Sequence, residues 1–149
     1  HGVLSVLDAG PAQPVPPGIL AKADVVSPNE TEAEAMTGVV VSSAEAAPEA
    51  AEKLAELGAR EVVMKLGANG SFYVGEGRFH APPFTVMPID TTAAGDAFTA
   101  ALACTWGGAS REDALRFANA AGALATTVAG AQPSMPTHGA VEAFLKQQG

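Results

Sequence analysis

Hydrophobic positions follow two spacings along this chain, one typical of strands and one typical of helices. Short runs rich in apolar and β-branched residues predict strands at 3–7, 24–28, 61–66, 71–74, 78–81 and 84–88. Apolar residues at helical spacing predict helices at 29–38, 46–57 and 140–146, and two more stripes run over 98–106 and 117–128. With a short helical turn at 19–21, the chain alternates strand and helix along most of its length.

Local signals mark where these elements begin and end. An Asn or Ser followed three residues later by an acid is a capping box, which predicts helix starts at Asn29 with Glu32, Ser42 with Glu45, and Ser110 with Asp113. Glycines at 38, 58 and 107–108 predict helix ends. Segment 130–136 contains two prolines, so an ordered loop is expected there rather than a helix.

Strands that alternate with helices are typical of an α/β architecture with a largely parallel sheet covered by helices. The segment 69–81 adds a small antiparallel insert, since Asn69-Gly70 is a strong hairpin-turn dipeptide. No repeat or low-complexity linker divides the 149 residues, which have the length of one domain. The loop after Asp8 follows the carboxyl end of a strand, where such sheets bind ligands.

Composition excludes several classes of function. The net charge is -8 and Lys and Arg do not cluster, which argues against nucleic acid or an anionic membrane as a partner. His1, His80 and His138 lack metal-ligand spacing, and Cys104 is the single cysteine, so a reducing cytoplasm is expected. Cys104 and Trp106 are both expected in the core. No signal peptide or membrane span is convincing, and a first residue other than Met suggests a preceding segment.

The stretch 89–102 combines a strand exit, small residues, an acid and a helix start. Backbone N–H groups from Ala93 to Gly95, with the positive end of the helix dipole, would form a seat for phosphate. Asp96 at its edge is suited to accept a proton from a substrate hydroxyl. The alternative is an ordinary helix start with an acid in its first turn.

Other candidate residues also have two interpretations. Asn29 and Glu32 form a helix cap, or they bind Mg²⁺ through water, because that ion keeps most of its waters. Asn69-Gly70 is a simple turn, or its glycine permits close approach of the backbone to a ligand. Asn119 lies on an apolar helix and either faces solvent or contacts a ligand.

Three stretches together resemble the ribokinase-like (phosphofructokinase B) carbohydrate kinase family, in the C-terminal half of its members. Residues 27–34 resemble the family's Asn-x-x-Glu segment, 90–96 its second signature, and 130–136 the tail loop of the ribokinase subfamily. The signature usually reads Gly-Ala-Gly-Asp, whereas this chain has Ala at 93, as members of that subfamily often do. The resemblance covers nearly all residues and implies a three-layer sandwich in which 1–149 is part of one kinase domain.

The resemblance also implies roles for individual residues. Asp96 would be the catalytic base, and Ala93, Ala94 and Gly95 would form the anion hole with it. The nucleotide-binding positions would be Asn29, Lys65, Leu66, Gly67, Ala68, Asn69, Gly70, Gly95, Asp96 and Asn119. Asn29 and Glu32 would act on Mg²⁺ with ATP through water. An activating K⁺ would be held at Asp90, Thr92, Ala125, Val128, Gly130 and Ser134.

The implied activity is transfer of the γ-phosphate of ATP to a sugar primary hydroxyl, with D-ribose giving D-ribose 5-phosphate as the favoured reaction. In the family, the sugar motif, the lid and the dimer contact come from the N-terminal half, which these residues lack. A deoxyribose, fructose or ketodeoxygluconate kinase therefore remains an alternative. A second alternative is a nucleotide-binding fragment without turnover.

Overall fold

The computed structural model describes residues 2–149, and the chain divides into two compact units, residues 1–80 and 81–149. The first unit carries a five-stranded sheet in the order β1-β2-β3-β4-β5. The strands are β1 (Val6–Leu7), β2 (Val25–Val26), β3 (Val62–Lys65), β4 (Ser71–Val74) and β5 (Arg78–Ala81). Strands β1 to β3 are parallel, and β4 runs antiparallel to β3.

The helices of the first unit are α1 (Pro17–Leu20), α2 (Glu30–Thr37) and α3 (Ala47–Glu56). Helix α3 forms where expected because its buried positions recur at helical spacing, at Ala47, Ala50, Ala51 and Leu54. These residues share one hydrophobic cluster with Val62, Met64 and Phe72 of the sheet. Because side chains alternate along a strand, Val63 and Lys65 point to the opposite face.

Three expectations for the first unit are wrong in detail. Strand β1 covers only the end of the predicted 3–7, and Val3 is 79% exposed, because pairing with β2 begins at Val6. Ser42 caps no helix: Ser43 precedes a 3-10 turn at 44–46, without a side-chain cap, and α3 starts after it. A 3-10 turn at 67–69, rather than a two-residue hairpin turn, joins β3 to β4.

The second unit contains α4 (Ala94–Thr105), α5 (Arg111–Thr126), α6 (Ala131–Ser134) and α7 (His138–Gln147). Helix α5 begins at the predicted cap, where the Ser110 side chain accepts a hydrogen bond from the Asp113 N–H. Helices α4 and α5 pack against each other at Gly122, where a Cβ would make an ordinary van der Waals contact, 3.4 Å from the Ala94 carbonyl oxygen.

Two connecting segments of the second unit differ from their predicted structures. No strand forms at 84–88, although Phe84 is half-buried and its ring meets Phe144 at a centroid distance of 5.3 Å. Segment 130–136 contains the one-turn helix α6, because Pro133 falls in its first turn, where no N–H donor is needed. Cys104 is exposed, whereas Trp106 is buried as expected.

The predicted stripe on α5 is shifted as well. Its buried face runs through Ala114, Leu115, Ala118, Ala121 and Ala125, and Val128 lies beyond the helix and is 43% exposed. The α/β class, the parallel strands and the antiparallel insert are confirmed. Among residues 2–149, no helix is both long and apolar enough to span a membrane.

Candidate functional site

Three polar residues of the first unit lie at the carboxyl ends of its parallel strands. Asp8 directly follows β1, Asn29 lies three residues after the end of β2, and Lys65 ends β3. Asn29 forms a parallel bridge with Lys65, whose N–H donates to the Pro28 carbonyl at 2.8 Å. The strand ends therefore bring together residues that are far apart in the sequence, at the edge where open α/β sheets bind ligands.

The capping box at the start of α2 is present in full. The Asn29 Oδ1 accepts a hydrogen bond from the Glu32 N–H at 2.8 Å, and the Glu32 Oε2 accepts one from the Asn29 N–H at 2.7 Å. Glu32 is buried, and its second oxygen, Oε1, takes no part in the cap. The cap interpretation is thus confirmed, and it leaves one carboxylate oxygen available for a bound water.

Lys65 is a buried cation at the centre of this group, with 8% of its surface exposed. Its Nζ lies 2.9 Å from Asp8 Oδ1 and 3.8 Å from Glu32 Oε2. Gly10 approaches from the loop after β1, where a Cβ would lie 3.3 Å from Glu32 Oε1. The ammonium group thus lies against two carboxylates inside the unit.

The loop 66–70 lies between β3 and β4 and is predicted to contact the nucleotide. Its backbone closes on itself, because the Leu66 N–H donates to the Gly70 carbonyl at 2.9 Å and the Asn69 N–H donates to the Leu66 carbonyl at 2.8 Å. Gly67 and Gly70 have φ values of 52° and 82°, which favour glycine. The His80 Nε2 is 2.6 Å from the Asn69 carbonyl oxygen and braces the loop from β5.

In the second unit, Asp90 ties the loop before α4 to the loop after α5. Its Oδ1 accepts a hydrogen bond from the Thr92 N–H at 2.9 Å, and its Oδ2 accepts one from the Gly130 N–H at 2.8 Å. The bonds from Gly130 and then Thr92 lower the pKa of Asp90 from the usual 3.8 to about 2. Asp90 therefore provides a fixed negative charge at neutral pH.

Helix α4 begins with an unusual backbone conformation. Ala93 has φ 61° and ψ 11°, which is the left-handed region and costs a non-glycine residue about 1 kcal/mol. The turn leaves the N–H groups of Gly95 and Asp96 without an acceptor among residues 2–149. Asp96 is exposed, and its carboxylate accepts no hydrogen bond within that same range. Two backbone donors and one carboxylate are therefore available at one helix start.

The predicted cation residues fall into two groups within this unit. Asp90, Thr92 and Gly130 are joined directly through the Asp90 carboxylate. The others follow or end α5: the Val128 N–H donates to the Ala125 carbonyl at 3.4 Å, and buried Ser134 donates to the Ala131 carbonyl at 2.7 Å. The cation site itself stays a prediction.

Asn119 does not face solvent. It is 7% exposed, and its Nδ2 donates to the carbonyl oxygens of Ala81 and Pro82 at 3.2 and 3.1 Å. The side chain therefore ties residues 81–82 to α5 within the second unit, and its nucleotide contact stays a prediction.

Sequence reasoning placed the loop after Asp8 at the ligand-binding edge of the sheet but assigned no site role to Asp8, Gly10 or His80. Asp8 has a recognisable signal, since an acid directly after a parallel strand lies at the ligand-binding edge. Gly10 and His80 have none, because their contacts with Glu32 and Asn69 depend on tertiary structure. No cluster of three or more His, Cys, Asp or Glu side chains arranged to hold a metal occurs in the part of the chain that the structure describes.

Comparison with known proteins identifies relatives of this chain. The model of the pfkB family of carbohydrate kinases matches residues 1–138. Ribokinase from Arabidopsis thaliana is 41% identical over 153 aligned residues, which cover 97% of this chain and 40% of that protein. The chain thus spans less than half the length of this curated relative.

Solved structures agree with the sequence comparison. The structure of Arabidopsis thaliana ribokinase complexed with ribose and ATP has a TM-score of 0.89 at 39% identity, covering 97% of this chain and 48% of that one. The structure of phosphofructokinase-2 from Escherichia coli in complex with potassium has a TM-score of 0.80 at 28% identity. The match covers 97% of this chain and 48% of that one.

Because Ala93 is in the left-handed conformation, replacing it or its neighbour Ala94 with glycine should change the free energy of unfolding in opposite directions. Ala93→Gly should raise the free energy of unfolding by up to about 1 kcal/mol, because glycine relieves the positive φ. Ala94→Gly, one residue later at the first helical position, should lower it by about 0.5–1 kcal/mol. Chemical denaturation measures both. A loss of stability in both variants would contradict the strained conformation.

The hydrogen bonds to Asp90 predict how its carboxyl titrates. NMR should place the midpoint at about 2, with the Thr92 and Gly130 amide protons shifting in parallel. Because the pKa is lowered in the folded state, the stability from this charge is fully present above pH 3.8 and is lost as the pH falls through about 2. A midpoint near 3.8 would contradict the two bonds.

Proposed function

The chain belongs to the pfkB family of carbohydrate kinases, and from this we propose that it supplies the phosphoryl-transfer residues of an ATP-dependent sugar kinase. The observation that carries the proposal is the start of α4, where Asp96 stands beside two backbone N–H groups that have no acceptor among residues 2–149. An acceptor for a proton and donors for an anion are what transfer to a hydroxyl requires.

Asp96 is the proposed general base. As the hydroxyl oxygen of the sugar attacks the γ-phosphorus, the carboxylate accepts the hydroxyl proton, the bond to the β-phosphate oxygen breaks, and ADP leaves. A positioned base contributes about a hundredfold or more to such a rate. The absence of a hydrogen-bond donor to this carboxylate within the described residues fits the role, since its oxygens are open to a substrate.

The turn from Ala93 to Asp96 is the proposed anion hole. Its N–H groups and the α4 dipole stabilise negative charge on the transferred group, and phosphoryl-transfer catalysis is mainly positioning and charge stabilisation. Holding the donors in place before the substrate arrives is worth about 2.7–4 kcal/mol per donor in comparable sites. The unfavourable left-handed conformation of Ala93 is what directs these N–H groups toward the anion.

Nucleotide binding is proposed for Asn29, the loop 65–70 and Asn119. Asn29 and Glu32 fit a water-mediated role toward Mg²⁺, because their cap leaves Glu32 Oε1 available and the ion retains its waters. When bound with ATP, the ion would neutralise phosphate charge. Arabidopsis ribokinase, complexed with ribose and ATP in its structure, supports ATP as the donor.

We further propose D-ribose as the acceptor, giving D-ribose 5-phosphate. Ribokinases among the relatives at 34–41% identity support this choice. The alternatives within the family remain those for deoxyribose, fructose and ketodeoxygluconate. We also propose that the whole enzyme dimerises through a lid and that it is located in the cytoplasm.

The base is tested by Asp96→Asn in the whole protein that carries this chain. Ribose phosphorylation should fall by about a hundredfold or more, because the amide accepts no proton. Asp113→Asn is the matched control, since Asp113 is the third residue of α5 as Asp96 is of α4, and it should retain activity. Near-normal turnover by Asp96→Asn would exclude it as the base. A panel with deoxyribose, fructose and ketodeoxygluconate decides the acceptor.

Activation by K⁺ is tested by exchanging the salt. Activity should be higher in potassium than in sodium, because the residues around Asp90 supply a fixed charge and oxygen ligands next to the anion hole. Asp90→Asn should remove the difference between the two salts. Phosphofructokinase-2, solved with potassium, supports the site. Equal wild-type activity in both salts would contradict it.

A further inference from the structure

The buried lysine of the first unit is held on one side by a carboxylate that no motif includes. Asp8 Oδ1 is 2.9 Å from Lys65 Nζ, whereas Glu32 Oε2 is 3.8 Å away. Both Lys65 and Glu32 have side chains only 10% exposed, so their charges are weakly screened by solvent. The position of the ammonium group between the two acids therefore decides how much negative charge Glu32 presents.

We propose that Asp8 and Gly10 are positioning residues for the Glu32 carboxylate. They keep it able to accept a hydrogen bond from a Mg²⁺-bound water. Asp8 holds the Lys65 ammonium away from hydrogen-bond distance of Glu32, and Gly10 leaves space for Glu32 Oε1. This inference rests on the proposed binding of Mg²⁺ with ATP. Within the proposed nucleotide-binding loop 65–70, the Lys65 ammonium group then positions Glu32 and does not contact phosphate directly.

The electrostatic part follows from the two distances. Without the charge of Asp8, the nearest remaining anion is Glu32, and the ammonium moves toward it to form a charge-assisted hydrogen bond. Oε2 then shares its lone pairs between Lys65 and the Asn29 N–H, and the negative charge available to a magnesium-bound water falls. Hydrogen-bonding partners of direct metal ligands change metal affinity by about tenfold to a hundredfold when mutated, and Asp8 acts from further out, so the lower end of that range applies.

The steric part is independent of charge. A Cβ on Gly10 would lie 3.3 Å from Glu32 Oε1, closer than an ordinary van der Waals contact, and the Pro11 that follows restricts how the loop adjusts. Glu32 Oε1 must then move by a few tenths of an ångström, and this displaces the other oxygen from its hydrogen bond with the Asn29 N–H at 2.7 Å. Gly18 in α1 offers a matched control, since no atom lies within 4 Å of its Cβ position.

The test measures binding of a non-hydrolysable ATP analogue by calorimetry at increasing Mg²⁺, in the whole protein. Asp8→Asn should raise the Mg²⁺ concentration needed for half-maximal binding by up to about tenfold. Gly10→Ala should raise it by a smaller factor. Gly18→Ala should have no effect, nor should Glu52→Gln, which breaks the exposed ion pair of Glu52 with Arg78. The ribose KM should stay unchanged in all four variants.

A direct phosphate contact by Lys65 predicts the opposite result. Asp8→Asn would then release the ammonium and strengthen binding of the analogue, most clearly without Mg²⁺. Stronger binding, or an unchanged Mg²⁺ requirement, would overturn the proposal. The Mg²⁺ concentration needed for half-maximal binding should stay closer to the wild-type value in Lys65→Arg than in Lys65→Met, because arginine keeps the positive charge between the two acids.

Amide hydrogen exchange in the nucleotide-free protein separates this proposal from the proposed function. The Asn29 N–H should exchange faster in Asp8→Asn and Gly10→Ala than in Gly18→Ala, because its acceptor Glu32 Oε2 is shared with Lys65 in the first variant and displaced in the second. Unchanged protection overturns the positioning roles even if the protein is a sugar kinase. Faster exchange in a protein that binds no nucleotide confirms the positioning of Glu32 and overturns the proposed function.

Discussion

The first unit depends on compensation of one buried positive charge. A lysine ammonium removed from water is tolerated only next to negative groups, and Lys65 lies at the end of the buried strand β3. Its partners come from two other segments, Asp8 after β1 and Glu32 in α2, so the ion pairs connect three strand ends of the sheet. The register of those strands is therefore coupled to the geometry of the α2 cap.

In the second unit, backbone N–H groups hold one half-buried carboxylate in place. Asp90 receives two backbone N–H groups, and these bonds connect the loop before α4 with the one after α5. That connection supports the left-handed turn at Ala93, which is unfavourable in isolation. Gly122 adds the close contact of α5 with the first turn of α4. The start of α4 is thus fixed from both sides by groups within its own unit.

Local patterns predicted this molecule well, and long-range contacts did not follow from them. The caps at Asn29 and Ser110 involve residues three apart, so the sequence displays them directly. The contact of Lys65 with Asp8 spans 57 residues and becomes visible only with the sheet order. At 84–88 the alternation of half-buried and exposed residues is real, but the segment pairs with no strand in the described chain. The strained φ of Ala93 has no signal in its residue type.

The exposed thiol gives the second unit a convenient reporter. Cys104 is the chain's single cysteine and lies ten residues after the first residue of α4. At about 1.5 Å per residue, this places it about 15 Å along the helix from the anion-hole turn. A spin label or fluorophore attached there needs no engineered cysteine within these residues. Distances measured from it would follow the axis of α4 during turnover, without a probe touching the groups that perform the chemistry.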